Sequence, residues 1–469
     1  MAIIDDEGKL FGLVNIIDVL VVMLVLAIVL AGAVFILSPT PGEPDVRYAT
    51  IDLGEQPSFI IDTLEVGDVM ELEGHADNLT ITDVYHGPGE DGHLIIRAEI
   101  RGERVEIGED RWQFEFGGEP FRAGQELTVE TPDFEVTGTV TSLDRSGSNL
   151  DVTETAVFAS TTVSTAVADE LDVGDTYTVD GHTIATIEAL QLYPGVGDER
   201  VALLGLTLAT HERGGTHHFG TTAVRLNATV PFETDTYDLE AEVLKRGTSD
   251  IVSTETEVVI ETTVDRTVSE DIEVGDSYDI AGHSVATVET KTVYPTADRD
   301  VNRLLIGITL RTHVEDDRTF FGDQPVRTGM TVPLRTAEYD IEGDIVTRGT
   351  LVEPGEPTTT VATVQLRNVR PERAERIQVG MTEVIDGEVL AEITAKETRP
   401  AQVILESEDG NIFLREHPTN LDIELTVELQ TRETATVVRF HGEDIREGDV
   451  VVLDLGRIII FPEIVELHE

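Results

Sequence analysis

The sequence predicts a mainly β protein, in which one N-terminal transmembrane helix is followed by four tandem small β-barrel or β-sandwich domains. A Val-Gly-Asp tripeptide occurs three times and returns once more as Val-Gly-Met, with glycines 107, 101 and 105 residues apart. Self-similarity at such a period indicates a repeat architecture. An uncharged apolar run at residues 19–37 predicts the helix. The four glycines are Gly67, Gly174, Gly275 and Gly380.

The apolar run is long enough to cross a bilayer, since a helix of its length spans about 28 Å. We predict a helix over residues 16–37, with membrane lipid contacting residues 19–37. A cleaved signal peptide is the alternative. It is disfavoured because large apolar residues directly follow the small residues at 31–33, and because the segment before the run is acidic.

Two acidic or amide residues mark the start of this helix. Asp18 lies three residues after Asn15, which is the spacing of a helix N-terminal cap, so a capping role is favoured over an ion-relay role. Basic residues specify the orientation weakly, because Lys9 on one side of the run opposes Arg47 on the other. We expect a single-pass protein of the cell membrane whose C-terminal domains are extracytoplasmic.

A proline-rich linker ends the helix, since closely spaced prolines favour extended backbone. Repeats of ordinary domain size follow it. The predicted division is 1–15 for the N-terminal segment, 16–37 for the transmembrane helix, 38–45 for the linker, and 46–155, 156–256, 257–360 and 361–469 for the four β repeats.

Within the repeats, glycine-rich turns and β-branched runs predict strands. In the second repeat, residues 177–192 indicate a strand, an Asp-Gly turn and a strand, and the apolar run 201–210 is typical of a buried strand. A short helix is indicated before the glycine motif, at 168–171 and at 371–376. Both halves of a repeat contain a glycine turn and two strands, so interleaved halves would close a six-stranded barrel. A two-sheet sandwich fits the same strands.

The composition is strongly acidic, with 91 acidic and 33 basic residues and a formal net charge of −58. The acids are spread through every repeat and lysine is nearly absent, which favours the surface of an extreme halophile over a dedicated binder of cations or of a basic partner. Nucleic acid is not expected as a partner, because phosphate recognition needs basic patches. The chain has no cysteine, which excludes disulfides and thiol chemistry.

The aspartate of the repeated tripeptide is the first candidate for chemistry. Its simpler interpretation is a turn residue, because glycine supplies an unusual backbone conformation and aspartate hydrogen-bonds the turn. The fourth copy has Met381 in the place of the acid, which a required catalytic carboxylate would not tolerate. We therefore predict no catalytic residue and no enzymatic activity.

Histidines are the second candidate. His75, His182 and His283 each follow a glycine, and Glu388 takes that position in the fourth repeat, but these residues lie in separate repeats. His211, His217 and His218 are closer together, in a predicted loop without the carboxylate spacing of a zinc site. We predict no metal site and no cofactor.

Two sequence features bear on location. Asn78 and Asn227 each begin an Asn-x-Thr acceptor sequence for glycosylation, which slightly favours an external position for the repeats. With Thr so common in the chain, one or two such sequences are expected by chance, and glycosylation is left open.

The two ends of the chain resemble an uncharacterised prokaryotic family of single-pass membrane proteins, catalogued as a domain of unknown function. The opening residues 3–30 contain the similar Gly-Lys-Leu-Phe-Gly and Asn-Ile-Ile-Asp segments before the apolar span. In the fourth repeat, 364–381, 387–401 and 445–467 resemble the soluble domain of that family. The resemblance implies a membrane anchor with an attached β domain, which a haloarchaeal member has multiplied, and it implies no activity.

These observations lead to a functional expectation. We expect a membrane-anchored, non-enzymatic surface or scaffold protein whose four β domains form an extended acidic rod. The alternative is an accessory subunit of a membrane transport or assembly complex, which would bind a partner of unknown identity through the repeats.

Overall fold

The computed structural model describes residues 9–10, 14–37, 42–71, 77–89, 92–108, 111–130, 134–385, 387–406 and 412–468. Strands hold 64% of the residues and helices 8%, which confirms the predicted mainly β class. The strands form repeated curled sheets.

The N-terminal part contains a small strand pair and a long helix. Strands β1 (Lys9–Leu10) and β2 (Val14–Asn15) pair antiparallel, and helix α1 covers Ile16–Leu37. Side chains are described in α1 from Leu20 to Leu30. Within the described part of the chain, no helix meets both the length and the apolarity needed to span a membrane. The cap predicted from Asn15 and Asp18 lies outside the described side chains.

The first two repeats each form one sheet with a short helix. The first contains β3 (Glu43–Glu55), α2 (Ser58–Thr63), β4 (Val69–Glu71), β5 (Asn78–Gly87), β6 (His93–Gly108), β7 (Arg111–Phe116), β8 (Glu119–Pro120), β9 (Glu126–Glu130) and β10 (Glu135–Asp144). The second contains β11 (Val152–Ser164), α3 (Thr165–Ala168), β12 (Thr176–Val179), β13 (His182–Pro194), β14 (Glu199–Arg213), β15 (Thr216–Phe219), β16 (Thr222–Ala223), β17 (Thr229–Glu233) and β18 (Asp238–Arg246).

The third repeat has the same order of elements, and the fourth departs from it only at its end, where three strands replace the last two. The third contains β19 (Ser253–Asp265), α4 (Arg266–Asp271), β20 (Ser277–Ile280), β21 (His283–Pro295), β22 (Val301–Glu315), β23 (Arg318–Phe321), β24 (Gln324–Pro325), β25 (Thr331–Arg335) and β26 (Asp340–Arg348). The fourth contains β27 (Glu356–Val369), α5 (Pro371–Arg376), β28 (Thr382–Ile385), β29 (Glu388–Glu406), β30 (Ile412–Glu433), β31 (Val438–Phe440), β32 (Glu443–Ile445), β33 (Leu453–Asp454), β34 (Ile459–Ile460) and β35 (Glu463–His468).

Each of the first three sheets has six strands on one path and two strands attached at the side. In the third sheet the path runs β20-β21-β22-β19-β26-β25, with β23 paired to β22 and β24 paired to β23. The first two sheets have the equivalent order, whereas the fourth runs β28-β29-β30-β27-β35 and carries β31 and β32 on β30. In the first three repeats the path has the predicted six strands, but the attached pair is absent from the sequence prediction.

A short helix precedes the glycine motif in every repeat, as the sequence indicates at two of these places. Helix α5 covers the predicted residues 371–376. Helix α3 ends at Ala168, so the prediction of 168–171 was wrong by three residues. The helix starts early because the Ser164 hydroxyl caps it by accepting the Val167 N–H at 3.3 Å.

The internal doubling of the repeats appears as eight equivalent turns. At each turn a residue with positive φ donates its N–H to a carbonyl on the facing strand over 2.7–2.8 Å, as Gly275 does to Val288 and Gly329 to Ile345. A left-handed backbone favours glycine, or asparagine as its nearest substitute. The front-half turns are at Gly67, Gly174, Gly275 and Gly380, and the back-half turns are at Gly124, Asn227, Gly329 and Gly448.

The chain divides into two compact units, each with its own apolar core. One consists of the chain up to Glu154 together with Thr178–Ile184 and Ala209–Ala223; the other consists of Thr155–Tyr177, Ala185–Leu208 and the chain from Val224 onward. Fully buried side chains of the first include Ile51, Leu79, Leu94 and Ile96, and those of the second include Leu204, Phe232, Ile306, Leu334 and Leu425.

Candidate functional site: the joints between repeats

The aspartates of the repeated tripeptide hold their own turns. Asp276 accepts the backbone N–H of Glu273 at 2.8 Å, and the aspartates of the first two copies do the same three residues back. In the third repeat the Tyr339 hydroxyl also donates to Asp276 at 2.7 Å. Burial raises the pKa of Tyr339, and the Asp276 carboxylate raises that pKa further. Each carboxylate is therefore engaged in fixing a turn.

In the fourth repeat, both the aspartate and the tyrosine of this hydrogen-bonded pair are replaced. Met381 takes the place of the aspartate, with its sulfur 3.3 Å from the Gln378 nitrogen, and Val437 takes the place of the tyrosine. Its back-half turn instead carries Asp449, which accepts the Arg446 N–H at 2.8 Å. An aspartate at either turn thus accepts a backbone N–H of that turn. This agrees with the structural role predicted from the sequence.

The histidines that follow glycines do not come together. His75 lies outside the described residues, and His283 and Glu388 are exposed at the first positions of their strands. His182 stacks on His86, with ring centroids 4.0 Å apart. Burial, reinforced by the neighbouring imidazole of His182, lowers the pKa of His86 to about 4. This stack is therefore uncharged at His86 near neutral pH.

The other three histidines lie on a hairpin, so the prediction of a loop there was wrong. A Gly-Gly turn lets β14 and β15 pair, which places His211 directly opposite His218. The His211 Nε2 lies 3.0 Å from the Gly220 carbonyl oxygen, and the His217 Nδ1 lies 3.1 Å from the Thr153 hydroxyl. In the described part of the chain, no group of three or more carboxylates and histidines has metal-binding geometry.

The two possible glycosylation residues have structural surroundings of different kinds. Asn78 begins β5, where it pairs with Glu71 and Arg101, and it is half-buried. Asn227 is exposed and has a φ of 59° at a back-half turn, where the other repeats have glycine. The turn therefore gives a conformational reason for Asn227, and modification of either residue stays a prediction.

Groups from successive repeats meet where a turn of one repeat contacts a tyrosine of the repeat before it. We call each such contact a joint. The turn lies between the two attached strands, at Gly220, Gly322 or His441, all with positive φ. The tyrosine lies near the end of a long strand, at Tyr85, Tyr193 or Tyr294. Sequence reasoning missed the joints, although the repeated tyrosine shortly before a proline was a usable signal.

Joint 1–2 lies within the first compact unit and is a hydrogen-bonded contact. The Tyr85 hydroxyl donates to the Ala209 carbonyl and accepts the Gly220 N–H, both at 3.0 Å. The Tyr85 ring is 4.9 Å from that of His211. Burial raises the pKa of Tyr85 to about 12. A side chain at Gly220 would press on Pro88, which explains why glycine occupies this turn.

Joint 2–3 lies within the second unit and is aromatic. The Tyr193 ring lies 5.5 Å from Phe321 and 5.8 Å from His313, and His313 stacks on Phe320. These separations are those of favourable aromatic pairs. Burial lowers the pKa of His313 to about 4, so its imidazole is neutral in this setting.

Joint 3–4 also lies within the second unit and is charged. The Tyr294 hydroxyl donates to the buried carboxylate of Glu353 at 2.6 Å, and Arg439 lies 3.6 Å from the same carboxylate. The His441 Nε2 is 3.4 Å from the Glu383 carboxylate, whose side chain is fully buried. Both Glu383 oxygens lack a hydrogen-bond partner among the described residues.

A cavity of about 650 Å³ adjoins joint 3–4. Lys291 and Asn302 line it from the third repeat, and Glu383 and Asp454 line it from the fourth. The Lys291 ammonium is already engaged, because it donates to the Ser269 and Ile272 carbonyls at the end of α4. Beside the cavity, the Glu383 carboxylate faces the His441 imidazole.

Comparison with known proteins finds a similarity at the start of the chain. Residues 1–86 match the model of a domain of unknown function, DUF4330. The matched stretch contains α1 and the first part of the first repeat, including the Gly67 turn. No curated protein and no solved structure matches the chain. The resemblance is thereby supported for the N-terminal end, and for the fourth repeat it stays a prediction.

Proposed function

We propose that the chain is a membrane-anchored, non-enzymatic surface or scaffold protein, whose four tandem β domains form an extended acidic rod. The observation that carries this proposal is the recurrence of the joint. Three times, the same turn contacts the same strand end, although the side chains filling the contact differ. A chain whose purpose is to hold modules in sequence needs such contacts, whereas freely moving modules do not.

We further infer that each domain is a closed barrel rather than a two-sheet sandwich. In the third repeat, β20 and β25 are the first and last strands of the path, and they contact each other. Contact between the ends of a path removes exposed sheet edges, which otherwise invite pairing with other chains. The charge of −58 would keep such a chain soluble and separate at high salt.

Limited proteolysis of the full chain in molar salt tests the scaffold. We expect a broad-specificity protease to cut first in the proline-rich linker, because filled joints protect the short connections between repeats. Rapid cleavage between repeats, at 247–252 or 349–355, would contradict the proposal. Protease added to intact cells tests the placement, since loss of the repeats is expected and their complete protection would contradict an external position.

The second candidate function is an accessory subunit of a membrane transport or assembly complex. The buried Glu383 carboxylate beside the cavity of joint 3–4 favours it, because His441 lies 3.4 Å away and neither carboxylate oxygen accepts a hydrogen bond among the described residues. Purification from membranes in molar salt distinguishes the two functions. A stoichiometric protein partner that is lost in a Glu383→Gln variant would favour the accessory role.

A further inference from the structure

The first repeat differs from the others in one hairpin. In every repeat a strand pair leads to the attached strands, and it can be aligned on the phenylalanine that ends the second strand. Counted from that phenylalanine toward the tip of the hairpin, the two strands form three residue pairs in the second and third repeats and two in the fourth. The first repeat has five, from Glu103↔Glu115 to Gly108↔Arg111. The hairpin of β6 and β7 is therefore extended only in the repeat that follows the linker.

This extension carries two exposed apolar side chains. Trp112 is the sole tryptophan of the chain and is 49% exposed, and Ile107 is also 49% exposed. Phe114 and Phe116 follow Trp112 at every second position of β7, so the three side chains lie on one face of the strand. Both phenylalanines are buried in the core, and Trp112 extends this face beyond the edge of the core. Large apolar side chains on an added segment call for a partner.

A cation holds the indole in place. The Arg104 guanidinium lies over the Trp112 ring, 4.5 Å from its centroid, and also pairs with Glu43. Stacking of this kind attracts the guanidinium to the face of the ring and so restrains the indole. Arg111 lies next to Trp112 near the tip of the hairpin, and Glu106 is paired with Trp112 on the neighbouring strand. Charged groups of both signs therefore surround the apolar ones.

The hairpin extends toward the place where the chain leaves for α1. Strands β3 and β6 are antiparallel and pair Glu43 with Arg104, so the residues of β6 after Arg104 continue past the start of β3, on the side from which the linker enters. At that start, the Gly42 N–H donates to the Glu103 carboxylate at 3.1 Å. The linker and the base of the hairpin are therefore in contact.

The lengths of the two segments match. From Leu37, the end of α1, to Gly42 there are five residues, which reach at most about 18 Å. The four residues of β6 beyond Arg104 extend for about 13 Å. Both segments start at the base of the hairpin, so the end of the helix lies within about 31 Å of the hairpin tip.

We propose that this extended hairpin, residues 105–108 and 111–113, rests on the membrane, with Trp112 and Ile107 among the lipid headgroups. The inference depends on the proposed function, because it requires α1 to be the anchor. Tryptophan suits the interface, since its ring is apolar while its N–H remains hydrated. The hairpin would then hold the first repeat against the bilayer at a second point.

Because Trp112 is the sole tryptophan, its fluorescence reports on this site alone. The full chain is reconstituted into vesicles of phosphatidylcholine and phosphatidylglycerol in molar KCl, with and without bromine on the acyl chains near the headgroups. We expect brominated lipid to lower the Trp112 emission by about twofold, as for an indole at the interface. The control is Trp112→Phe combined with Val352→Trp, which places the reporter at an exposed position of the third repeat and should show no quenching.

The outcomes separate the two proposals. If the protein floats with the vesicles but brominated lipid leaves Trp112 emission unchanged, the hairpin contact is overturned and the anchor stands. If the protein does not float with the vesicles, the anchor is overturned, and the hairpin contact with it. Equal quenching of the reporter in the third repeat would also contradict a contact that is confined to the hairpin.

Discussion

Joints 2–3 and 3–4 occupy the same place in the fold but are built from different chemistry. Tyr193 lies among aromatic rings, and its hydroxyl bonds to the amide of Gln191 at 2.7 Å. Tyr294 is at the equivalent strand end, and its hydroxyl bonds to the buried carboxylate of Glu353. The position is thus defined by backbone geometry, and the side chains decide how each joint responds to pH, salt and mutation.

The difference teaches that one contact can be stabilised in two ways. Aromatic burial needs no partner groups, whereas a buried carboxylate is costly unless its hydrogen bonds are made. Joint 3–4 is therefore the more sensitive to loss of a single polar atom. Four predictions test how far the two joints are equivalent and where they diverge.

The largest effect is expected at equivalent glycines of the second and third repeats, each of which packs on the connection to the next repeat. A Cβ at Gly205 would overlap the carbonyl oxygen of Ser249, and a Cβ at Gly307 would overlap that of Leu351. Both carbonyls belong to the connections between repeats. We expect Gly205→Ala and Gly307→Ala each to cost at least about 3 kcal/mol of unfolding free energy, because backbone must move.

Urea denaturation followed by circular dichroism measures these costs. The control is Gly214→Ala, where no atom lies near the added Cβ, so a cost of only about 1 kcal/mol is expected there from its positive φ. A mild effect at either Gly205 or Gly307 would show that the connection which this glycine contacts is looser than the other connection.

The second prediction separates the joints. Tyr294→Phe leaves the Glu353 carboxylate without its hydroxyl donor and should cost about 2–3 kcal/mol, whereas Tyr193→Phe should cost less than about 1 kcal/mol. The midpoints of urea unfolding give the comparison. Equal costs would mean that Glu353 finds another donor and that the charged joint is no more demanding than the aromatic one.

The third prediction concerns acid and joint 2–3. The pKa of His313 in the fold is about 4, below the unfolded value of about 6.5, so the unfolded chain binds the proton more readily. The stability that arises from the neutral imidazole is fully present above pH 6.5. It is lost as the pH falls from 6.5 toward 4, by on the order of 2 kcal/mol.

A His313→Phe variant should flatten this part of the pH profile, because the ring is retained and the titrating group is removed. Unfolding free energies of both proteins, measured between pH 4 and 7 in constant salt, provide the test. An unchanged slope in the variant would assign the acid sensitivity to other groups.

The smallest effect is expected from an exposed ion pair of joint 3–4. Arg303 contacts Glu443 at 2.7 Å, but it also contacts Glu261 at 2.8 Å, and Glu443 is largely exposed. Glu443→Gln reproduces the residue that joint 2–3 has at this position, Gln324, and should cost less than about 1 kcal/mol. The cost should fall further as salt is raised. A cost above 2 kcal/mol would indicate that the pair is held away from solvent.

Local features of the fold were predictable from the sequence. The eight equivalent turns of the repeat halves have positive φ and hold glycine or asparagine, and the Asp180-Gly181 turn has the two positive φ values of a tight hairpin. Proline at the first position of α5 marks the helix that the sequence indicates there. Each of these signals lies within a few residues of the structure it specifies.

The joints were not predictable, because their partners are far apart in the chain. Tyr294 meets a residue 59 positions later, and His441 faces Glu383 from 58 positions away. Polar residues in a strongly acidic sequence give no indication of which will be buried. The exchange of the aspartate and tyrosine for Met381 and Val437 became interpretable only when the structure placed these positions together.

The strand order has a mechanical consequence. In the third repeat the first strand, β19, and the last, β26, are antiparallel neighbours, and Val258 pairs with Arg348 near the points where the chain enters and leaves. The other repeats share this neighbour relation. Pulling on the two ends of such a repeat loads its hydrogen bonds one after another rather than all together. Under tension each repeat should therefore peel open in steps at low force and lengthen the chain.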